Sequence, residues 1–179
     1  TSFQGYSGLI NIPTADVFKQ GQFNTLISNQ IETNAGYRSG TNYHFGIGLW
    51  QNIEISGRLA DYDYGTSEDL TDLSANMKVG IPYIPNDWFK LAIGVQDIGG
   101  AANFFDAKYL VASKTLFEDF NVTLGAGQSD SKIGRLDGVF GGVSWQATEW
   151  ARLSVEHDAA SAQAGLQLNT PVGMLPYGV

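Results

Sequence analysis

Glu156, His157 and Asp158 are consecutive, and acid, imidazole and carboxylate are the parts from which nucleophilic or general acid–base catalysis is built. Neighbours in an extended chain point to opposite faces, so His157 cannot readily share a site with both of them. No GxSxG elbow and no HExxH pair occurs, so no catalytic residue is assigned and the chain reads as a non-enzyme. A second cluster, DYDYGTSEDLTD at 61–72, concentrates carboxylates where a hard cation would want them. Its glycine stands one position early for a calcium loop and no bidentate glutamate closes it. Asp61, Asp63 and Glu68 are therefore a weak metal candidate, a solvated acidic loop is the better reading, and no cofactor is implied.

The remaining charges are spaced by strand geometry. Alternating runs fall near 23–31, 42–50, 53–62, 73–81, 88–97, 107–115, 120–128, 137–146, 151–158 and 162–169, about ten strands of the length a tilted membrane strand needs. One face carries Phe45, Ile47, Ile55, Val79, Leu91 and Ile93. The other carries Glu54, Arg58, Lys78, Lys90, Gln96, Lys108, Arg152 and Glu156 among small and polar residues. Lys114 is grouped with them. A soluble sandwich would turn the apolar face inward, whereas a membrane barrel turns it to lipid and lines its lumen with the charges. Periodicity alone leaves both open.

Connection lengths favour the barrel. Long gaps near 32–41, 62–72, 98–106 and 129–136 alternate with short ones near 51–52, 82–87, 116–119 and 147–150, as when one rim has tight turns and the other longer outward loops. Trp88, Trp145 and Trp150 stand at strand ends beside short turns, where a membrane interface collects aromatic rings. Trp50 shares that location, but strand parity turns it inward. Residues 1–20 have no clean period, and Pro13 interrupts their one apolar run. This lead-in could tuck against a barrel mouth, enter the lumen as a plug, or add an edge strand.

Two stretches carry a family resemblance. VQDIGGAANFFDAKYLVASK followed by FNVTLGAG, and the opening GYSGLINIPTADVFKQGQF at 5–23, resemble signatures of the YjbH family, outer-membrane proteins of exopolysaccharide and capsule gene clusters. A weaker likeness runs through Val155, Glu156 and Asp158 to Gly165 and Leu166. Family members are usually much longer, so the match is to their N-terminal part. The resemblance implies a scaffold or accessory role in surface polysaccharide assembly or export, with polysaccharide-export or cell-surface assembly proteins as partners.

Composition is compatible with that reading. The chain has 179 residues, 43% hydrophobic and 16% charged, enough for one folded domain. Its net charge of -8 argues against a nucleic-acid partner, and without cysteine it has no disulfide scaffold. No run reaches the roughly 18 apolar residues of a membrane helix, and no basic start with an apolar signal core opens the chain. The expected fold is all-β, an antiparallel up-and-down β-barrel of about ten strands at 21–179 behind a lead-in at 1–20. The expected location is a Gram-negative outer membrane, with lipid against the apolar face. Two alternatives are a barrel subunit of an extracellular or cell-surface filament assembly and a soluble lipocalin-like binding barrel, whose apolar face would line a cavity.

Overall fold

The computed structural model describes residues 1–29, 39–63, 70–85, 88–98, 105–130 and 135–169. Ten strands follow in order: β1 (Phe23–Asn29), β2 (Ser39–Trp50), β3 (Ile53–Asp63), β4 (Leu70–Gly80), β5 (Lys90–Gln96), β6 (Ala107–Leu116), β7 (Phe120–Gln128), β8 (Gly138–Thr148), β9 (Ala151–His157) and β10 (Ala162–Leu168). They form one sheet in chain order, each strand antiparallel to the next. This is the meander that the alternating runs predict. Tight links join β2 to β3 and β6 to β7, where Asn52, Phe117 and Glu118 take φ of 67, 52 and 65°. That left-handed backbone lets a hairpin reverse within two or three residues. Among the described residues no helix is long and apolar enough to cross a membrane, which does not bear on spans made of strands.

The sheet is curled, and the lead-in lies inside the curl. The Ser7 amide donates to Glu54 on β3, and the Ile10 amide donates to Glu156 on β9. In a flat sheet β3 and β9 would stand roughly 29 Å apart, at six strand spacings. Three residues of chain reach at most about 11 Å, so even two glutamate side chains do not make up the difference without strong curvature. Residues 1–20 therefore lie against the concave face, bonded to strands on both sides of the curl. The segment folds back on itself through the Gly8–Pro13 bridge and leaves along a parallel bridge from Gln20 to Gly48.

Closure is where the fold stops short of the expected barrel. β1 and β10 do not pair, and no Cα of one lies within 8 Å of a Cα of the other. A hydrogen-bonded neighbour would sit about 4.8 Å away. The sheet is thus open along a seam between its first and last strands.

Period-two alternation divides the two faces. Phe45 and Ile93 are exposed on the convex face, and Ile47, Ile55, Val79 and Leu91 are half-buried there among their neighbours. The concave face is polar on β2 to β4 and partly apolar further on. Ala92, Tyr109, Val111 and Phe140 pack there against Ile12 and Ala15 of the lead-in. This explains why β6 shows no clean alternation in sequence, since Tyr109 and Val111 point inward while Leu110 points outward. Trp50 corrects a parity argument. The register shifts between Gly48 and Trp50, and this bulge leaves Trp50 63% exposed instead of turned inward.

Gly48 is a point of close approach between sheet and lead-in. A β-carbon there would lie 2.2 Å from the Lys19 carbonyl oxygen and 2.5 Å from that of Phe18. Gly48→Val must therefore lift the lead-in off β2. We expect a loss of about 1–3 kcal/mol, the usual cost of overpacking, and faster protease cleavage within residues 1–20. Denaturant unfolding and N-terminal sequencing of the fragments check this.

Candidate functional site

The residues that could do chemistry converge on the lead-in. Glu54 is fully buried and its carboxylate accepts three hydrogen bonds, from the Ser7 amide at 2.7 Å, the Ser7 hydroxyl at 2.6 Å and the Phe18 amide at 2.9 Å. Lys78, on the adjacent strand and directly across the ladder, sets its ammonium 3.6 Å from the same carboxylate. It donates to the Ser7 and Thr14 carbonyls at 2.6 and 3.2 Å. Glu156 takes the Ile10 and Asn11 amides at 2.8 and 2.6 Å. Two carboxylates of the sheet thus bind backbone N–H groups that the irregular lead-in cannot pair internally. A charged acceptor makes these the stronger kind of hydrogen bond.

Neutral groups complete the seat. Tyr6 is buried, and its hydroxyl bridges the Asn11 carbonyl at 2.5 Å and Gln96 at 3.0 Å. Asn76 donates to the Gln4 carbonyl at 2.7 Å, the Ser113 hydroxyl accepts from the Ala15 amide at 2.9 Å, and Asn11 bonds Gln163. At the rim Lys90 pairs with Asp16 at 2.6 Å, both partly exposed. Deeper in, Arg58 lies 4.3 Å over the Phe105 ring and 3.9 Å from Asp72. Gln4, Asn42, Arg58, Asp72 and Asp97 each keep a buried polar atom without a hydrogen bond to the protein. Each such atom carries a desolvation cost of roughly 1–3 kcal/mol, so this corner is held less firmly than the Glu54 seat.

Of the residues expected to line the interior, Glu54, Arg58, Lys78, Gln96 and Glu156 are buried on the concave face. Arg152 is half-buried on that face and bonds Gln146, while Lys90 is on it at the rim. Lys108 is a correction. On β6 the concave residues are Ala107, Tyr109, Val111 and Ser113, so Lys108 and Lys114 point outward and are exposed. The two lysines bracket Leu110 and Ala112 at opposite ends of the strand, where long stems let an ammonium reach past an apolar band.

Trp88, Trp145 and Trp150 are 64%, 41% and 57% exposed, and Trp145 stacks on Phe120 with centroids 5.8 Å apart. His157 is exposed while Glu156 and Asp158 are buried, so the three adjacent residues do not form one site. Asp158 instead shapes the β9–β10 turn, accepting from the Ala160 and Ser161 amides and pairing with Arg135 at 3.2 Å. Asp61 is exposed near the end of β3, whereas the Asp63 side chain and all of Glu68 fall outside the described residues. The residues that sequence reasoning missed are Ser7, Tyr6 and Asn11 of the lead-in. Their partners are distant in the chain, and no local period marks them.

Together these features define a class: an up-and-down all-β sheet, apolar outside and charged inside, curled around its own N-terminal segment. The model of the YjbH family, described as exopolysaccharide biosynthesis protein YbjH, matches residues 1–136 of the 179. The chain belongs to that family. The uncharacterized lipoprotein YjbH of Escherichia coli (strain K12) is 27% identical over 205 residues, covering 89% of this chain and 28% of the relative. The chain therefore spans less than a third of that relative's length. No solved structure matches.

Two outcomes test the site. Removing one partner of a buried ion pair leaves the other uncompensated, so Glu54→Ala is expected to cost about 3–5 kcal/mol. Adding Lys78→Met should recover part of that loss, which a double-mutant cycle by denaturant unfolding measures. Asp97, just past β5, has a carboxyl pushed up by burial, with the Phe105 amide at 2.9 Å opposing and Asp72 adding to the rise. A carboxyl raised on folding contributes stability that is full below its unfolded value near 4 and lost as pH rises through the folded value. Asp97→Asn keeps the acceptor for Phe105 and tolerates the φ of 57°. Its stability relative to wild type should rise from pH 4 to pH 8, as parallel unfolding curves would record.

Proposed function

We propose that this chain is a non-enzymatic outer-membrane β-barrel domain, a scaffold or accessory in exopolysaccharide assembly or export. The observation that carries the reading is inverted polarity. Arg58, Lys78 and Glu54 are at most 1% exposed in the interior, while Phe23, Ile27, Leu124, Val139, Val155 and Leu166 are at least 60% exposed outside. Water would favour the opposite arrangement, and lipid favours this one. The lead-in fills the interior, so the domain is a plugged body and not a conduit for polymer. A lipocalin-like barrel would need an apolar cavity, and the charged residues Glu54, Arg58 and Lys78 buried on the concave face beside the lead-in count against that alternative. The family description supports the polysaccharide role, and the E. coli relative's description as a lipoprotein supports a cell-envelope location.

The open seam favours a second reading, in which the chain is one part of a larger cell-surface assembly. In lipid the free edges of β1 and β10 must be paired, since unpaired backbone groups there cost several kcal/mol each. Further strands across the seam would close the barrel and keep the outer-membrane reading.

Partitioning tests the function. We expect the purified chain to need detergent to stay monodisperse, and its unboiled form to migrate differently from the boiled form on a gel. Monodispersity in plain buffer would sink the membrane reading. Burial of the apolar band in a detergent-free oligomer would support the assembly reading.

A further inference from the structure

The convex face carries a groove of about 590 Å³ on β4 to β7. Two adjacent rows across the ladders line it: Met77, Val95, Lys108 and Gln128, then Val79, Ile93, Leu110 and Ala126. Met77, Ile93 and Leu110 stand 40–48% exposed as its banks. Small Ala126, with Gly94 and Gly127, leaves the floor low. The walls are apolar except at the end nearest the long 97–106 connection. There Lys108 is exposed, and its neighbours across the ladder are the uncharged Val95 and Gln128. Asp106 and Asp130 stand one step further along the two strands and bond each other, and among the described residues Lys108 has no ion-pair or hydrogen-bond partner. An unpaired cation at one end of an apolar trough, on a protein of net charge -8, has the chemistry of an amphiphile site.

We propose that this groove holds an acyl chain of an anionic membrane phospholipid, whose headgroup phosphate, uncompensated by a choline, rests on Lys108 and Gln128. The proposal builds on the outer-membrane reading and adds a bound lipid at a defined place on the convex face. The alkyl chain would lie against Val79, Ile93 and Leu110. The ammonium would take a phosphate oxygen and the Gln128 amide would donate to another, a division of labour that a neutral alcohol or a bare hydrocarbon cannot use.

The test offers the detergent-solubilised chain equimolar phosphatidylglycerol and phosphatidylcholine, and native mass spectrometry counts what is retained. We expect phosphatidylglycerol to be favoured about five-fold, on the order of what one lysine contributes near an anionic surface. Lys108→Gln should bring the ratio to about one while the gel shift between unboiled and boiled forms persists. Ala126→Phe, which fills the trough, should lower retention of both lipids. Equal retention by the wild type, or a preference that survives Lys108→Gln, overturns the proposal. If the chain needs detergent and shows no preference, the lipid site fails and the membrane reading stands. If it is monodisperse without detergent, both fail.

Discussion

The interaction on which the structure depends is the seating of the N-terminal segment on Glu54. That carboxylate is fully buried and holds the Ser7 and Phe18 amides at once, two points eleven residues apart in a segment without regular structure. A buried carboxylate is tolerable only when its oxygens are satisfied and a cation stands near, and Lys78 at 3.6 Å supplies the cation. Each partner justifies the other's burial. Without the lead-in, Glu54, Lys78 and Glu156 would line an open concave surface, with nothing to draw the strands inward around it.

Curvature follows from the same contacts. A meander of ten strands can be flat, coiled or closed, and pairing alone does not choose among them. Here one short segment bonds side chains on β3, β4, β5, β6, β9 and β10, which only a curled sheet can bring together. The lead-in acts as the form around which the sheet bends. The interior charges Glu54, Lys78 and Glu156 are the seat on which it rests.

Outside the curl the physics is different. The convex side presents an apolar surface of exposed large side chains, Phe23, Ile27 and Leu124 among them. In the proposed reading a second apolar phase, or a partner of matching chemistry, covers it. The unpaired edges of β1 and β10 sharpen this requirement, because apolar surroundings penalise free backbone groups as well as charges. Surface and seam are the two observations on which the proposed envelope reading rests.

Strand number, order and most boundaries were legible in the sequence, because a period of two and turn residues are local signals. Phe45 and Ile55 could be put on one face and Glu54 and Lys78 on the other by counting alone. Counting failed where local geometry broke the period. At Trp50 a bulge reverses the parity, and along β6 both faces are apolar, so counting puts Lys108 on the wrong side. Which face turns inward, and that residues 1–20 lie within, were decided by tertiary structure alone. The reason is that the pairs responsible, Ser7 with Glu54 and Asn11 with Glu156, stand 47 and 145 residues apart. No pattern within a strand encodes a partner at that distance.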